Sequence, residues 1–154
     1  MEDLREGGFL ITKIRELGQQ IFDQLLKDNN IDEITSAQGR VIFPLWRQDN
    51  ISFQDLKKKT MLSKATLSYM LDKLEEAGHI ERLRSKKDKR TITIKLTKKN
   101  EALQQQFLQV SNQMKDIYYN GFTEDEIDEF EGYLRRLMDN LTRFSRKGKE
   151  TKIT

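Results

Sequence analysis

The chain of 154 residues has no cysteine, one proline and one histidine. Without thiols there is no disulfide, no thiolate-bound metal and no thiol redox switch. A single proline and eight glycines point to long regular elements rather than a loop-rich fold. Long apolar runs are missing too. The longest, Val41 to Trp46, has six residues, far short of the ~20 needed to cross a bilayer, so no membrane partner is expected. The opening Met1-Glu2-Asp3-Leu4-Arg5-Glu6 is acidic and lacks the apolar segment of a secretory leader, which makes a cytoplasmic helical protein the expectation. Catalytic signatures are equally scarce. There is no glycine-rich phosphate loop, no carboxylate pair with a partner base and no metal-ligand spacing. His79 falls at a helix-to-strand junction, where a structural role outweighs a catalytic one. The chain therefore reads as a non-enzyme that needs neither cofactor nor metal.

What the sequence does carry is charge, unevenly placed. Net charge is only +3, yet Glu81 to Lys99 holds nine Lys/Arg against two acids. Phe122 to Leu141 holds seven acids against two arginines, and the tail from Thr142 holds five Lys/Arg and one Glu. A basic block of this density suits a polyanionic partner. The acidic run Glu124 to Glu131 is read as helix capping and solvation rather than a cation site.

Hydrophobic periodicity orders the elements. Leu10, Ile14, Leu17, Ile21 and Leu25 form one stripe of an amphipathic helix. A second helix is expected from about Ser36 to Arg47, capped by Thr35 or Ser36, with a kink or break at Pro44, which lacks a backbone donor. Ser52-Phe53-Gln54-Asp55 opens a short helix through Lys59, and Thr60-Met61-Leu62 makes a turn. Ser63 caps a longer helix whose core side is Leu67, Met70, Leu71 and Leu74, closed by a left-handed Gly78. Ile80 to Leu83 reads as a strand, Arg84 to Lys89 as a charged loop and Thr91 to Leu96 as a returning strand with period-2 alternation. Leu103, Phe107, Val110, Met114, Ile117 and Gly121 mark a further helix. Thr123 starts the last one, where Ile127, Phe130, Leu134, Leu137, Leu141 and Phe144 keep heptad spacing. Residues 146–154 are expected to form a frayed, flexible basic tail.

Helix, turn, helix, strand, basic loop, strand is the order of a winged helix-turn-helix. The expected fold class is mainly α with a small β-wing: a winged helix-turn-helix at 34–97, flanked by dimerisation helices at 1–33 and 98–145. A major groove about 12 Å wide admits one helix and displays a distinct edge pattern for each base pair. Burying Leu67, Met70, Leu71 and Leu74 turns Lys64, Ala65, Ser68, Tyr69 and Asp72 outward, with Lys57, Lys58, Lys59 and Lys73 near enough to reach phosphates. The loop Arg84-Ser85-Lys86-Lys87-Asp88-Lys89-Arg90 can follow the backbone or place an arginine in a minor groove. Double-stranded DNA is thus the expected partner, with a winged-helix protein-interaction module as the alternative; a wing rich in cations favours DNA.

The same residues resemble the MarR family of regulators. Asp88-Lys89-Arg90 followed by Leu96-Thr97 is similar to that family's wing pattern. Leu62 to Ser68 and Leu71 to Gly78 resemble its recognition helix, and Ile34-Thr35 with Gln38 its second-helix opening. The resemblance implies a homodimeric transcriptional regulator, expected to be a repressor acting on an inverted repeat, with the first and last two helices of each chain intertwined through Leu10, Ile14, Leu17, Ile127, Phe130, Leu134, Leu137 and Leu141. It further implies that Ser63, Lys64, Ala65, Thr66, Ser68 and Tyr69 face the major groove. Arg90 would reach the minor groove, with Asp88 orienting it. Many relatives release DNA when a small phenolic or lipophilic effector binds. Ile21, Phe43, Trp46 and Met114 are the candidates for lining such a pocket, with plain core packing as the competing account. Pro44, Gly39 and Tyr69 depart from the family pattern.

Overall fold

The computed structural model describes residues 4–150. In chain order they form α1 (Gly7–Asp28), α2 (Ser36–Arg47), β1 (Ile51–Ser52), α3 (Phe53–Thr60), α4 (Lys64–Glu76), β2 (Ile80–Arg84), β3 (Ile92–Leu96), α5 (Lys98–Tyr118) and α6 (Glu124–Glu150). The protein is mainly α with one three-stranded antiparallel sheet in the order β1-β3-β2. Two compact units divide at the end of α5, one closing at Met114 and the other opening at Lys115.

Side-chain caps set the helix starts. Thr35 Oγ1 accepts from the Gln38 amide at 3.2 Å while Gln38 Oε1 accepts from the Thr35 amide at 3.0 Å, a complete capping box. Ser52 Oγ accepts from Asp55 N–H and Ser63 Oγ from Thr66 N–H, so α3 and α4 each begin on a serine. Thr123 and Glu126 repeat the reciprocal box at α6. α4 ends where Gly78, at φ +80°, donates to Glu75 O while His79 donates to Leu74 O. That left-handed turn is cheap only for glycine.

The first unit closes over one core. Val41, Ile42 and Leu45 of α2 meet Leu56 of α3, Leu67, Leu71 and Leu74 of α4, Ile80 and Ile94 of the sheet, and Phe107 and Val110 of α5. This packing explains why α2 is not divided at Pro44, contrary to expectation. Val41, Ile42 and Leu45 are all 0% exposed and hold the turns on both sides of the proline. The helix gives up the single bond that Pro44 cannot donate.

Three further boundaries differ from the periodicity. β1, two residues long, was not expected; Ile51 pairs with Ile94 and Ser52 with Thr93. Its signal is long-range pairing, to which a local pattern is blind. Gly121 does not continue the α5 stripe, because α5 ends at Tyr118 and Gly121 sits at φ +84°. α6 runs through the expected tail as far as Glu150; the remainder of that tail, residues 151–154, lies outside the described residues.

Gly39 is a point of close approach. A Cβ there would collide with Cζ of Phe107, and the Phe107 ring is itself hemmed in by Phe22 at 5.4 Å and Trp46 at 4.9 Å. Gly39→Val should lower stability by about 2 kcal/mol, overpacking outweighing the gain in helix propensity. Urea melts check this, and a variant as stable as the parent would show that Phe107 can move aside.

In the second unit, Tyr119, Phe122 and Phe130 form an aromatic cluster with centroids 6.0–6.4 Å apart. Tyr119 donates to Glu131 at 2.9 Å, and desolvation together with that carboxylate raises its pKa.

Candidate nucleic-acid interface

α3 and α4 are joined by a turn in which Met61, at φ 55°, donates to Lys57 O. Leu67, Leu71 and Leu74 face the core, while Met70 is half-buried against it. The opposite side of α4 presents Ser63, Lys64, Ala65, Thr66, Tyr69 and Lys73 exposed, with Ser68 half-buried. Two of these are already engaged: the Ser63 and Thr66 hydroxyls lie 2.9 Å apart within the cap. Tyr69 is 63% exposed with the Lys73 ammonium 5.7 Å from its ring centroid, and Lys73 reaches Glu76 at 3.4 Å.

β2 and β3 pair from Ile80–Leu96 to Arg84–Ile92, so Arg84 belongs to the strand and Thr91 to the loop. Ser85 organises that loop: its Oγ accepts from the Lys87 and Asp88 amides, and its own N–H donates to Thr91 O. Asp88 Oδ1 accepts from the Arg90 amide at 2.9 Å. Asp88 thus fixes the backbone on which Arg90 is carried. Among the described residues, none of Arg84, Lys86, Lys87, Lys89 and Arg90 has a carboxylate within ion-pair distance.

The basic block is therefore not uniform. Arg82 is turned back onto α4, its Nη2 2.6 Å from Asp72 and 3.0 Å from Glu75, its Nε 3.2 Å from Glu75. The Arg82 amide donates to the same Glu75 carboxylate at 3.0 Å. These hydrogen bonds lower the pKa of Glu75 and raise that of Arg82. Lys99 is likewise committed, to Glu33 at 3.2 Å and Ala77 O at 2.8 Å. Beneath it His79 is fully buried, Nε2 3.0 Å from Glu33 and Nδ1 3.4 Å from the Asn100 amide nitrogen. Asn100 Oδ1 accepts from Trp46 Nε1 at 2.5 Å. Counting charges along the sequence cannot separate these two structural cations from the five in the wing.

Leu10, Ile14 and Leu17 on α1 and Phe130, Leu134, Leu137 and Leu141 on α6 are 39–65% exposed, and Ile127 is half-buried. Of the residues considered for an effector pocket, Met114 is buried and Trp46 packs edge-on to Phe107. Ile21 and Phe43 are about 40% exposed, with Arg47 over the Phe43 ring. A cavity of about 630 Å³ opens elsewhere, between Arg15 and Gln19 of α1, Ser36, Ala37 and Arg40 of α2, and Leu62 and Met70. Among the described residues no cluster of His, Cys, Asp and Glu could hold a metal, and no helix is long and apolar enough to cross a membrane.

A winged helix-turn-helix with a cationic wing is the class that this geometry defines. The MarR family model matches residues 34–92, and the chain belongs to the MarR family of transcriptional regulators. It is 31% identical over 132 residues to the multiple antibiotic resistance protein MarR of Escherichia coli (strain K12), covering 85% of this chain and 90% of that protein. It is 30% identical over 109 residues to the HTH-type transcriptional regulator TtmR of Methylorubrum extorquens, a match that spans 71% of this chain and 51% of that protein. TtmR is named as a transcriptional regulator rather than an enzyme. Among solved structures, Bordetella bronchiseptica BpsR, described with regulation of its DNA binding by 6-hydroxynicotinic acid, aligns at a TM-score of 0.78 and 22% identity over 87% of this chain and 99% of that one. Reduced AbfR bound to DNA aligns at 0.73 and 24% over 90% and 92%. At these identities the two structures speak to the fold alone.

Proposed function

We propose that the protein is a homodimer that reads an inverted repeat in double-stranded DNA and represses transcription until a small effector releases it. The observation that carries this reading is the pairing of exposed Lys64, Ala65, Thr66 and Tyr69 on the first half of α4 with five wing cations that have no acidic partner among the described residues. Phosphate contacts position a protein and base contacts specify the sequence. Lys86, Lys87, Lys89, Arg84 and Arg90 suit the first task. Ser63, Lys64, Ala65, Thr66, Ser68 and Tyr69 suit the second, with Lys73 at the margin. Five cations without an acidic partner among the described residues suit a polyanion such as DNA better than a neutral protein surface. The exposed stripes on α1 and α6 support a dimer, since contiguous apolar surface of this kind marks an interface. A regulator of this kind acts where the chromosome is, which in a bacterial or archaeal cell is the cytoplasm.

Effector release draws on the cavity beside Arg15 and Arg40. Two guanidinium groups next to Leu62 and Met70 suit a small aromatic ring with an acid group, and BpsR, of like fold, is described with such a regulator. A ligand there touches α1, α2 and the α3–α4 motif together, so it can favour one arrangement of them over another.

Affinity against salt, on a selected operator and on random duplex, tests the reading. Lys86→Ala should weaken both DNAs alike and reduce the slope by about 0.9 for each phosphate no longer neutralised. Ser68→Ala and Tyr69→Ala should leave the slope unchanged and cut discrimination by roughly 1–3 kcal/mol per base contact. Intact discrimination in both would remove α4 as the reader.

A further inference from the structure

Asp72 and Glu75 are an oddity on a helix meant to face DNA. Asp72 is one turn beyond Ser68 and Tyr69, and a free carboxylate there would repel the phosphates. Neither is free. Arg82 reaches both at once, with Nη2 between them, Nε on Glu75, and the Arg82 backbone amide on the same carboxylate. The Arg82 side chain is only 29% exposed, against 53% for Asp72 and 40% for Glu75, so the two acids fold over a guanidinium held in place. Such a fork is geometrically specific in a way that a point charge is not. Arg82 also pairs with Ile94 in the middle of the wing ladder, two residues before Arg84, the first of the cations without an acidic partner among the described residues.

We propose that Arg82 is a positioning residue, which rests on the DNA-binding reading above: it locks the stem of the wing to the second half of the recognition helix, so that the phosphate-gripping loop and the base-reading face meet DNA in one fixed relation. Arg82 itself touches no DNA. A wing that pivoted against α4 would still grip phosphates, but it would no longer hold α4 in the register that makes base contacts. The clamp therefore serves discrimination rather than bulk affinity.

Two variants break the clamp with opposite changes of charge. Arg82→Gln removes one positive charge, while Asp72→Asn with Glu75→Gln removes two negative ones. Each is measured for affinity against salt on an operator selected by the wild-type protein and on random duplex, with a thermal melt to establish folding. In both variants the operator-to-random affinity ratio should fall about tenfold, although affinity for random DNA moves down in the first and up in the second. The salt slope of Arg82→Gln should stay at the wild-type value. If the ratio is unchanged in the double variant, or if Arg82→Gln lowers the slope by about 0.9 per subunit as a direct phosphate contact would, the clamp is overturned. Should Arg82→Gln fail to fold, the double variant still decides. Wild-type protein that selects no preferred duplex would overturn the DNA reading and the clamp with it, a result distinct from a discriminating wild type with equally discriminating variants.

Discussion

Aspartate at both Leu134 and Leu137 should convert the protein to a monomer and weaken binding to a two-half-site operator by roughly 10²–10⁴-fold. These leucines are 40% and 44% exposed on an α6 stripe that continues through Leu141 at 65% and Phe144 at 80%. The core of the first unit is built from residues between Leu26 and Val110. Two carboxylates in the centre of an apolar interface would each lose hydration without a compensating charge. The DNA-binding unit, whose core is untouched, should stay folded and keep its phosphate contacts. What disappears is the second half-site, which in a dimer binds at high effective concentration. Sedimentation and operator titration check this together. A variant that sediments as a dimer and binds as tightly as the parent would place the interface elsewhere.

His79→Ala should cost about 2–4 kcal/mol at neutral pH and remove a step in the acid stability profile. The ring is 0% exposed, so its loss leaves a cavity and orphans the Asn100 amide that faces Nδ1. The pH effect has a definite sign. Burial lowers the folded-state pKa of His79, the Glu33 carboxylate opposes this and the Lys99 ammonium reinforces it. The unfolded chain therefore takes up a proton near the ordinary value of 6.5 that the folded chain refuses until lower pH. Stability should decline as pH falls from about 6.5 toward the folded value. Glu33 follows at lower pH: hydrogen bonding to Lys99 holds its pKa below 4.5, and its contribution is lost as pH drops beneath that. Urea melts at about pH 7.5 and 5.5 separate the two groups, because of the pair only the histidine titrates in that window. If His79→Ala loses as much stability as the parent between those pH values, the acid sensitivity belongs to another group.

Features governed by neighbours in sequence were legible from sequence. Thr35, Ser52, Ser63 and Thr123 cap helices through amides three residues away, and the Gly78 turn is complete between Leu74 and His79, so a short window contains the whole interaction. The wing was legible because five of the seven residues from Arg84 to Arg90 are cations. Pro44 misled because local propensity favoured a break, while Val41, Ile42 and Leu45 were packed by distant elements. Arg82 and Lys99 counted toward the basic block of Glu81 to Lys99 although their partners sit on α4 and in the loop before α2. The chain Trp46–Asn100–His79–Glu33 joins four separate stretches, and no spacing rule could have drawn it together. The cavity at Arg15 and Arg40 escaped for the same reason, since α1, α2 and the α3–α4 turn meet there only in three dimensions.

The two-residue strand β1 has a consequence for how the molecule comes together. Ser52 pairs with Thr93 on the last strand of the wing and, through its hydroxyl, caps α3. One residue is thus shared by the sheet and the first helix of the DNA-reading motif. Its pairing closes a loop containing α3, α4, β2 and the wing loop. Closure of such a loop costs little more entropy than that of a shorter one, yet it makes the hairpin and both helices dependent on the same few pairings. Opening the wing stem at β3 therefore withdraws support from the start of α3. Helix-turn-helix and wing should accordingly form and dissolve as a single folding unit rather than as a stable helical pair carrying a detachable ribbon.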